Sequence, residues 1–130
     1  MNYWAYLAVA MGGALGAVMR FAVARWMQPW LEGGGFPYPT FVVNLAGSLF
    51  LGLIYSLGKA NWLQDEYRLF WATGVMGAFT TFSTFAVEGV LLMEAGRWKL
   101  ALLYWILSLV FGVVIAYLGM LIGSRIAGNG

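Results

Sequence analysis

The sequence contains no cysteine and no histidine. This absence excludes disulfide bonds, thiol nucleophiles, imidazole bases and Cys/His metal sites. Carboxylates are few as well, and most of them fall in or beside predicted loops: Glu32, Asp65, Glu66, Glu88 and Glu94. Few side chains are therefore suited to hydrolytic or redox chemistry, and we predict that the protein is not an enzyme.

Charge is also scarce, because only 9% of the 130 residues are charged while 62% are hydrophobic. A soluble domain carries about 25% charged residues, so this chain has too few to cover a water-facing surface. The seven basic residues are scattered and form no run that would favour nucleic acid. Composition therefore predicts an integral membrane protein.

Four apolar segments approach the length of about 20 residues that a helix needs to cross the hydrocarbon core. They lie at about residues 3–27, 40–57, 69–93 and 100–124, and short connections such as the turn-rich loop at residues 28–39 join them. Six tryptophans fall near the predicted interfaces, as in an aromatic belt: Trp4, Trp26, Trp30, Trp62, Trp71 and Trp98. We predict an all-α integral membrane fold, a single domain of four transmembrane helices over residues 1–130.

The basic residues do not favour one orientation in the membrane. With four helices, the N-terminus, the second loop and the C-terminus share one side. Each side carries three basic residues: Lys59, Arg68 and Arg125 on one, and Arg25, Arg97 and Lys99 on the other. Because positive charge normally marks the cytoplasmic side, equal counts predict dual topology and antiparallel pairing. The alternative is one orientation decided by subtler signals.

A bundle of this size has little room for an enclosed pore, whereas a homodimer supplies eight helices and a seam. Small residues let membrane helices approach closely, and several fall within the predicted helices: Gly12, Gly13, Gly16, Gly47, Gly112 and Gly119. Such residues are common in glycine-rich membrane chains, so they indicate close packing and nothing more specific.

The third predicted helix has an unusual middle. Gly74 and Gly77 precede a hydroxyl-rich run at residues 80–84, where leucine and valine are expected. Glycine weakens a helix by about 1 kcal/mol relative to alanine, and non-helical backbone survives at membrane depth only where protein or water surrounds it. Broken helices expose backbone groups that bind ions. We therefore predict a break near the middle of this helix. The alternative is an unbroken packing face.

Two aromatic residues accompany this run. Phe82 and Phe85 are three residues apart, so they project from one helix face. Lipid or core contact is the ordinary role of such a pair. Ring edges are electropositive, however, and can favour a small anion without a full charge. Weak contacts of this kind suit conduction, because an ion must leave as well as enter.

Other polar residues also fall within the predicted helices. Asn44 is costly in lipid unless partnered, so its amide either joins helices or donates to an anion. Tyr104 and Ser108 are four apart and place two hydroxyls on one helix face. Arg20 either attracts anions toward a vestibule or extends to the interface. Glu88 either pairs with a basic residue or caps a water-filled mouth.

At these positions the sequence resembles the Fluc fluoride-channel family. The matching patterns lie on three of the four helices: Gly12-Gly13, Gly16-Ala17 and Arg20-Phe21, then Thr40, Val43-Asn44 and Gly47-Ser48, and finally Gly74, Gly77 and Thr80-Thr81-Phe82-Ser83-Thr84-Phe85. The last run is the most specific, and the length of the family fits the whole chain.

The resemblance implies an architecture and an activity. Members are dual-topology, antiparallel homodimers with two pores in the bacterial inner membrane. They export toxic fluoride passively from the cytoplasm and favour it over chloride. A sodium ion at the centre of the dimer has a structural role. We therefore expect the lipid bilayer, fluoride and a second copy of the chain as partners, and no nucleic acid.

The resemblance also implies roles for particular residues. Phe82 and Phe85 would line the pores edge-on, and Asn44 would bind fluoride near a vestibule that Arg20 flanks. Hydroxyls along the path would come from four residues: Ser83, Thr84, Tyr104 and Ser108. Backbone carbonyls of Gly77 and Thr80 from both subunits would hold the sodium ion.

Two other function classes compete with this interpretation. A proton-coupled cation exporter of the small multidrug resistance type also has four short helices and dual topology. That family requires a carboxylate in its first helix, whereas this first helix carries Arg20 and no acid. The second alternative is an accessory membrane subunit without transport activity. In such a protein the hydroxyl-rich run would have no role.

Overall fold

The computed structural model describes residues 2–31 and 35–128. Residues 32–34 of the first predicted loop, with the Glu32 carboxylate, lie outside the described residues. The described chain is all-helical and contains four spans long and apolar enough to cross a membrane: Tyr3–Trp26, Tyr38–Lys59, Asp65–Glu94 and Trp98–Ile126. The predicted all-α membrane fold is confirmed at this level.

Local sequence explains several ends of the spans. The first span begins after Asn2, whose Oδ1 accepts hydrogen bonds from the backbone N–H groups of Trp4 and Ala5 at 3.1 and 3.4 Å. A short 3-10 helix at Gln28–Leu31 follows it. The second span has Pro39 in its first turn, where a missing N–H costs no hydrogen bond.

The first and third spans pack backbone against backbone at two glycines. A methyl group added at Gly12 would overlap the Phe70 carbonyl oxygen, and one at Gly16 would overlap the Val75 carbonyl oxygen. This stretch of the third span, Leu69–Met76, is a π-helix. The G-x-x-x-G pair of the first span therefore allows the first half of the third span to pack closely against it.

The second and fourth spans interlock in the same way. A methyl group at Gly52 would overlap the Ala116 carbonyl, and one at Gly119 would overlap the Leu49 carbonyl. The Ser56 hydroxyl donates to the Met120 carbonyl at 2.8 Å within this contact. Close approach is thus confirmed at Gly119, as at Gly12 and Gly16.

The other glycines of the predicted set differ in whether they lie in a close helix contact. Gly47 packs against the Thr80 side chain, so it too sits in a close contact. A methyl group at Gly13 meets nothing within 4 Å among the described residues, and one at Gly112 reaches only Ser48 Oγ, at 4.0 Å. Among the described residues of this one chain, Gly13 and Gly112 therefore make no close helix contact of the kind seen at Gly12, Gly16 and Gly119.

The predicted break in the third span is present at Thr80 and Thr81. The single α-helical turn Gly77–Phe79 ends there, and a new helix begins at Phe82–Glu94. Thr80 has φ −85° and ψ 158°, and Thr81 has φ −149° and ψ 113°, so both are extended. Thr81 caps the second helix, because its Oγ1 accepts the backbone N–H of Thr84 at 3.2 Å.

The outer surface of the bundle is apolar, as a lipid-facing surface requires. The six tryptophans assigned to the interfaces are all exposed in the chain, and Trp4, at 73%, is exposed most. A small buried cluster lies inside, where Val43 of the second span meets Val75, Met76 and Phe79 of the third. The first half of the third span is thus the central element of the bundle.

We predict that Gly119→Ala destabilises the protein by about 1–3 kcal/mol, because the added methyl group overpacks the contact with Leu49. Gly112→Ala, on the same span, is the matched control and should gain up to about 1 kcal/mol of helix stability. Thermal unfolding of detergent-solubilised protein, followed by circular dichroism, measures both variants. Equal shifts in the two would contradict the described packing.

Candidate ion pathway

A groove of about 720 Å³ opens beside the break in the third span. The second span, the break, the second half of the third span and the fourth span all contribute to it. Five predicted site residues line the groove: Asn44, Thr80, Phe82, Phe85 and Ser108. The predicted hydroxyl residues Ser83, Thr84 and Tyr104 are not among the residues that line it.

Asn44 pairs with the broken backbone. Its Oδ1 accepts the backbone N–H of Thr81 at 2.8 Å, and its Nδ2 donates to the Thr81 carbonyl at 3.1 Å. The side-chain amide therefore replaces both hydrogen bonds that a helical neighbour would have supplied. An amide carries two N–H donors, so the second N–H of Asn44 is not needed for this pair.

Two hydroxyls near the break bond the backbone of their own helices. Ser48 Oγ donates to the Asn44 carbonyl at 2.7 Å, one turn from the amide. Thr80 Oγ1 donates to the Met76 carbonyl at 2.9 Å, at the end of the first half. Both bonds are local, and both residues line the groove. Their hydroxyl protons are therefore engaged by backbone.

Two carbonyls at the break lose their usual helical partners. The N–H of Thr81, which would serve the Gly77 carbonyl, bonds Asn44 instead, and the N–H of Thr84, which would serve the Thr80 carbonyl, bonds Thr81 Oγ1. The described residues contain no cluster of three or more acidic, histidine or cysteine side chains for a metal. These carbonyls are thus the oxygen donors that suit a hard cation.

Arg20 reaches the same turn from the first span. Its Nε donates to the Ala78 carbonyl at 3.0 Å, and the side chain is partly buried. Ala78 is the middle residue of the last turn before the break, so the guanidinium lies at a helix C-terminus, where positive charge is favourable. The sequence-based alternatives, a vestibule charge or an interfacial side chain, did not include this contact.

Phe82 and Phe85 lie side by side at the groove. Their ring centroids are 5.8 Å apart, with planes inclined at 50°. Phe82 is 79% exposed in the chain, whereas Phe85 is partly buried beneath the Tyr104 ring at 5.2 Å. The two rings therefore differ in how closely the rest of the chain surrounds them. Phe85 is held within the chain, and Phe82 faces outward.

Glu88 and Tyr104 belong to a separate polar cluster. The Tyr104 hydroxyl donates to Glu88 Oε1 at 3.0 Å, and the buried Thr40 lies beside both side chains. Tyr104 is fully buried, and Phe36 contacts its ring at 5.3 Å. The Tyr104 hydroxyl thus turns to Glu88, whereas Ser108, one turn further along the same helix, lines the groove. Within the described residues Glu88 bonds the Tyr104 hydroxyl, not a basic side chain.

Ser108 is the polar residue of the groove that lacks a partner. Its Oγ is buried and forms no hydrogen bond with any residue that the structure describes. A buried hydroxyl without a partner costs about 1–3 kcal/mol, so a ligand or water in the groove would stabilise it. Ser108 is thus the side chain best disposed to donate to an anion there.

Sequence reasoning assigned no role to several residues of these sites. Thr40 and Ser48 lie within the motifs of the second span, and Ser48 follows Asn44 by one turn, a spacing that could have indicated the hydrogen bond. Trp105 also lines the groove and donates from Nε1 to the Phe85 carbonyl at 3.2 Å. No pattern in the sequence indicates that contact, because the two residues lie on different helices.

Known proteins resemble the chain along almost its whole length. Residues 7–120 match the family described as CrcB-like protein, Camphor Resistance (CrcB). The fluoride-specific ion channel FluC of Thermus thermophilus is 44% identical over 123 residues, which cover 95% of this chain and 96% of that protein. Proteins of the same name from a Shewanella species and from Acidobacterium capsulatum are 42% and 43% identical, and each alignment covers 97% of the relative.

We predict that Asn44→Ala destabilises the protein by about 2–6 kcal/mol, because two backbone groups of Thr81 lose their partners and each costs about 1–3 kcal/mol. Ser48→Ala is the matched control on the same span. It removes a donor from a carbonyl already inside a helix and should cost about 0.5–1.5 kcal/mol. Thermal unfolding in detergent measures both, and similar losses would contradict the pairing at the break.

Proposed function

The chain belongs to the CrcB-like family, and from that premise we propose that it is a passive, fluoride-selective channel of the bacterial inner membrane. The relatives compared above are named as fluoride-specific ion channels, not as enzymes or coupled transporters. Four membrane-spanning helices make the protein a multi-pass membrane protein. The observation that carries the proposal is the groove at the break, which two phenylalanine side chains line together with an amide and a hydroxyl residue.

Fluoride is small and strongly hydrated, so a pathway must replace its water with hydrogen-bond donors. The second N–H of Asn44 and the unpartnered Ser108 hydroxyl are two such donors in the groove. Phe82 and Phe85 would add electropositive ring edges. None of these groups carries a full positive charge that would trap the ion, and weak contacts allow it to leave. Export from the cytoplasm would then follow the fluoride gradient.

Three further predicted pore residues stand outside the groove of the single chain. Ser83 and Thr84 lie in the first turn after the break, and Tyr104 lies in the cluster with Glu88. We propose that they extend the path beyond the groove toward a vestibule at Glu88. Arg20 would favour anions near the opposite mouth while it bonds Ala78.

The groove is open to the outside of the chain, and Phe82, which lines it, is exposed. We propose that a second copy, inserted in the opposite orientation, covers it and forms an antiparallel homodimer with two pores. The equal numbers of basic residues on the two sides support dual topology. Each copy would thus supply one four-helix channel domain, residues 1–130, and close the groove of the other.

A structural sodium ion fits the carbonyls of the break. Gly77 and Thr80 would hold it through backbone oxygens, since their helical amides are engaged elsewhere. The same two carbonyls from a second copy would complete a four-oxygen site on the dimer axis. When bound, the cation would offset the negative ends of the two interrupted helices. Arg20, which bonds the carbonyl of Ala78 between Gly77 and Thr80, would orient the same turn.

A proton-coupled cation exporter is not favoured. The first span contains Arg20 and no carboxylate that could exchange protons for cations. Glu88, on the third span, accepts a hydrogen bond from Tyr104. Passive conduction requires none of these coupling groups.

Liposome efflux tests the proposed function. Protein reconstituted into liposomes loaded with potassium fluoride should release fluoride when valinomycin supplies a potassium shunt, with no proton gradient imposed. A fluoride-selective electrode records the release, and chloride-loaded liposomes test selectivity. Release no faster than from protein-free liposomes would overturn the proposal.

The same assay tests the aromatic pair. Phe82→Ala and Phe85→Ala should each slow fluoride release by at least about tenfold, equivalent to about 1.4 kcal/mol of barrier, because the ring edges are lost. Phe111→Ala, which removes an exposed ring of the fourth span outside the groove, is the control and should match the wild type. Wild-type release in both groove variants would exclude the edge-on role.

Salt exchange tests the cation. Sodium chloride should raise the unfolding temperature above that in the same concentration of N-methylglucamine chloride. A ligand that binds only the folded state stabilises it by about 2.7 kcal/mol at a hundred times its Kd. The organic salt controls for ionic strength. Equal unfolding temperatures in the two salts would contradict a structural sodium ion.

A further inference from the structure

Trp105 makes two contacts with the second half of the third span. Its indole Nε1 donates to the Phe85 carbonyl at 3.2 Å, and its ring lies against the backbone of Gly89. A methyl group added at Gly89 would overlap three atoms of the indole. The absence of a side chain at Gly89 therefore creates the slot that brings the N–H to the carbonyl.

These contacts hold the backbone at Phe85 and Gly89 against the fourth span. The Phe85 carbonyl has two lone pairs, so it can accept the indole N–H as well as the helical amide one turn on. The neighbouring residue, Tyr104, contacts the Phe85 ring at 5.2 Å, with planes inclined at 63°. Consecutive residues of the fourth span thus hold the backbone and the ring of one phenylalanine.

The second half of the third span needs such a constraint. Two extended residues, Thr80 and Thr81, join it to the first half, and extended backbone does not fix the rotation of the helix that follows. Asn44 anchors the backbone at the start of that helix, at Thr81, and Tyr104 contacts the Phe85 and Glu88 side chains further on. The Trp105 bond adds a backbone anchor one turn after Thr81, at Phe85, and so restricts rotation about the helix axis.

We propose that Trp105 is a positioning residue for ion conduction, which sets the rotation of the second half-helix and hence the ring edge that Phe85 presents to the groove. The inference rests on the proposed channel function and deepens it. Gly89 is part of the same arrangement, because its lack of a side chain leaves room for the Trp105 indole. Trp105 acts through Phe85 and not as a ligand, since its only N–H is engaged by the carbonyl.

Single-channel recording in planar bilayers tests this role with potassium fluoride on both sides. Trp105→Phe keeps an aromatic ring but removes the N–H, and should lower the unitary fluoride current about three- to tenfold, the factor expected for one lost hydrogen bond. Trp98→Phe, an exposed tryptophan at the start of the same span, is the matched control and should keep the wild-type current.

The unitary current separates positioning from a merely structural role. A structural role would reduce the number of channels recovered and leave the current through each one unchanged. Gly89→Ala retains the indole N–H but fills its slot, so it should also lower the unitary current, and the double variant should be no worse than the lower single variant. Gly112→Ala controls for the added methyl group.

The outcomes distinguish the two proposals. If the wild type carries no fluoride current, the proposed function fails. If the wild type conducts and both Trp105→Phe and Gly89→Ala retain its unitary current, the positioning role is wrong. Should Trp105→Phe not fold, Gly89→Ala alone decides, and an unchanged current in that variant overturns the inference.

Discussion

The pairing of the Asn44 side chain with the Thr81 backbone is the interaction on which the rest of the site depends. A helix broken within the membrane exposes backbone N–H and C=O groups where water is not available to satisfy them. One side-chain amide satisfies both groups of Thr81 at 2.8 and 3.1 Å. Because the Thr81 N–H is engaged there, the Gly77 carbonyl loses its helical donor and becomes available to a cation. The break, the groove and the carbonyl site therefore share one cause.

Glycine placement makes that break possible. The first half of the third span approaches the first span at Gly12 and Gly16 closely enough for Arg20 to reach the Ala78 carbonyl. Farther along, Gly89 lets Trp105 approach the second half. The two halves are thus anchored to different spans, the first to the first span and the second to the fourth. An interrupted helix can keep a defined geometry in this way, although extended residues alone join its halves.

Near the break, polar side chains of the described residues lie in two places. Asn44 and Ser108 line the groove, whereas the buried Tyr104 donates its hydroxyl to the partly buried Glu88 beside Thr40. Phe85 lies between them, because its ring contacts Tyr104 while it lines the groove. Buried polar groups are costly unless they are satisfied, and the buried Tyr104 hydroxyl is satisfied by Glu88. The groove instead leaves the Ser108 hydroxyl without a partner among the described residues. That difference supports our proposal that the permeant ion passes through the groove.

Hydrophobic runs, scarce charge and the hydroxyl-rich segment were enough to predict four membrane helices and a break in the third, because these features depend on local composition and on the thickness of a bilayer. The sequence alone also singled out Asn44, Phe82, Phe85 and Ser108, which the folded chain brings to one groove. It could not predict that Tyr104 turns to Glu88, that Arg20 bonds Ala78 or that Trp105 reaches Phe85. Those contacts join residues on different spans, and helix rotation and glycine-mediated approach decide them. Only the tertiary structure determines the rotation of each helix and its distance from its neighbours, because periodicity within one helix does not specify which neighbour its polar face will meet.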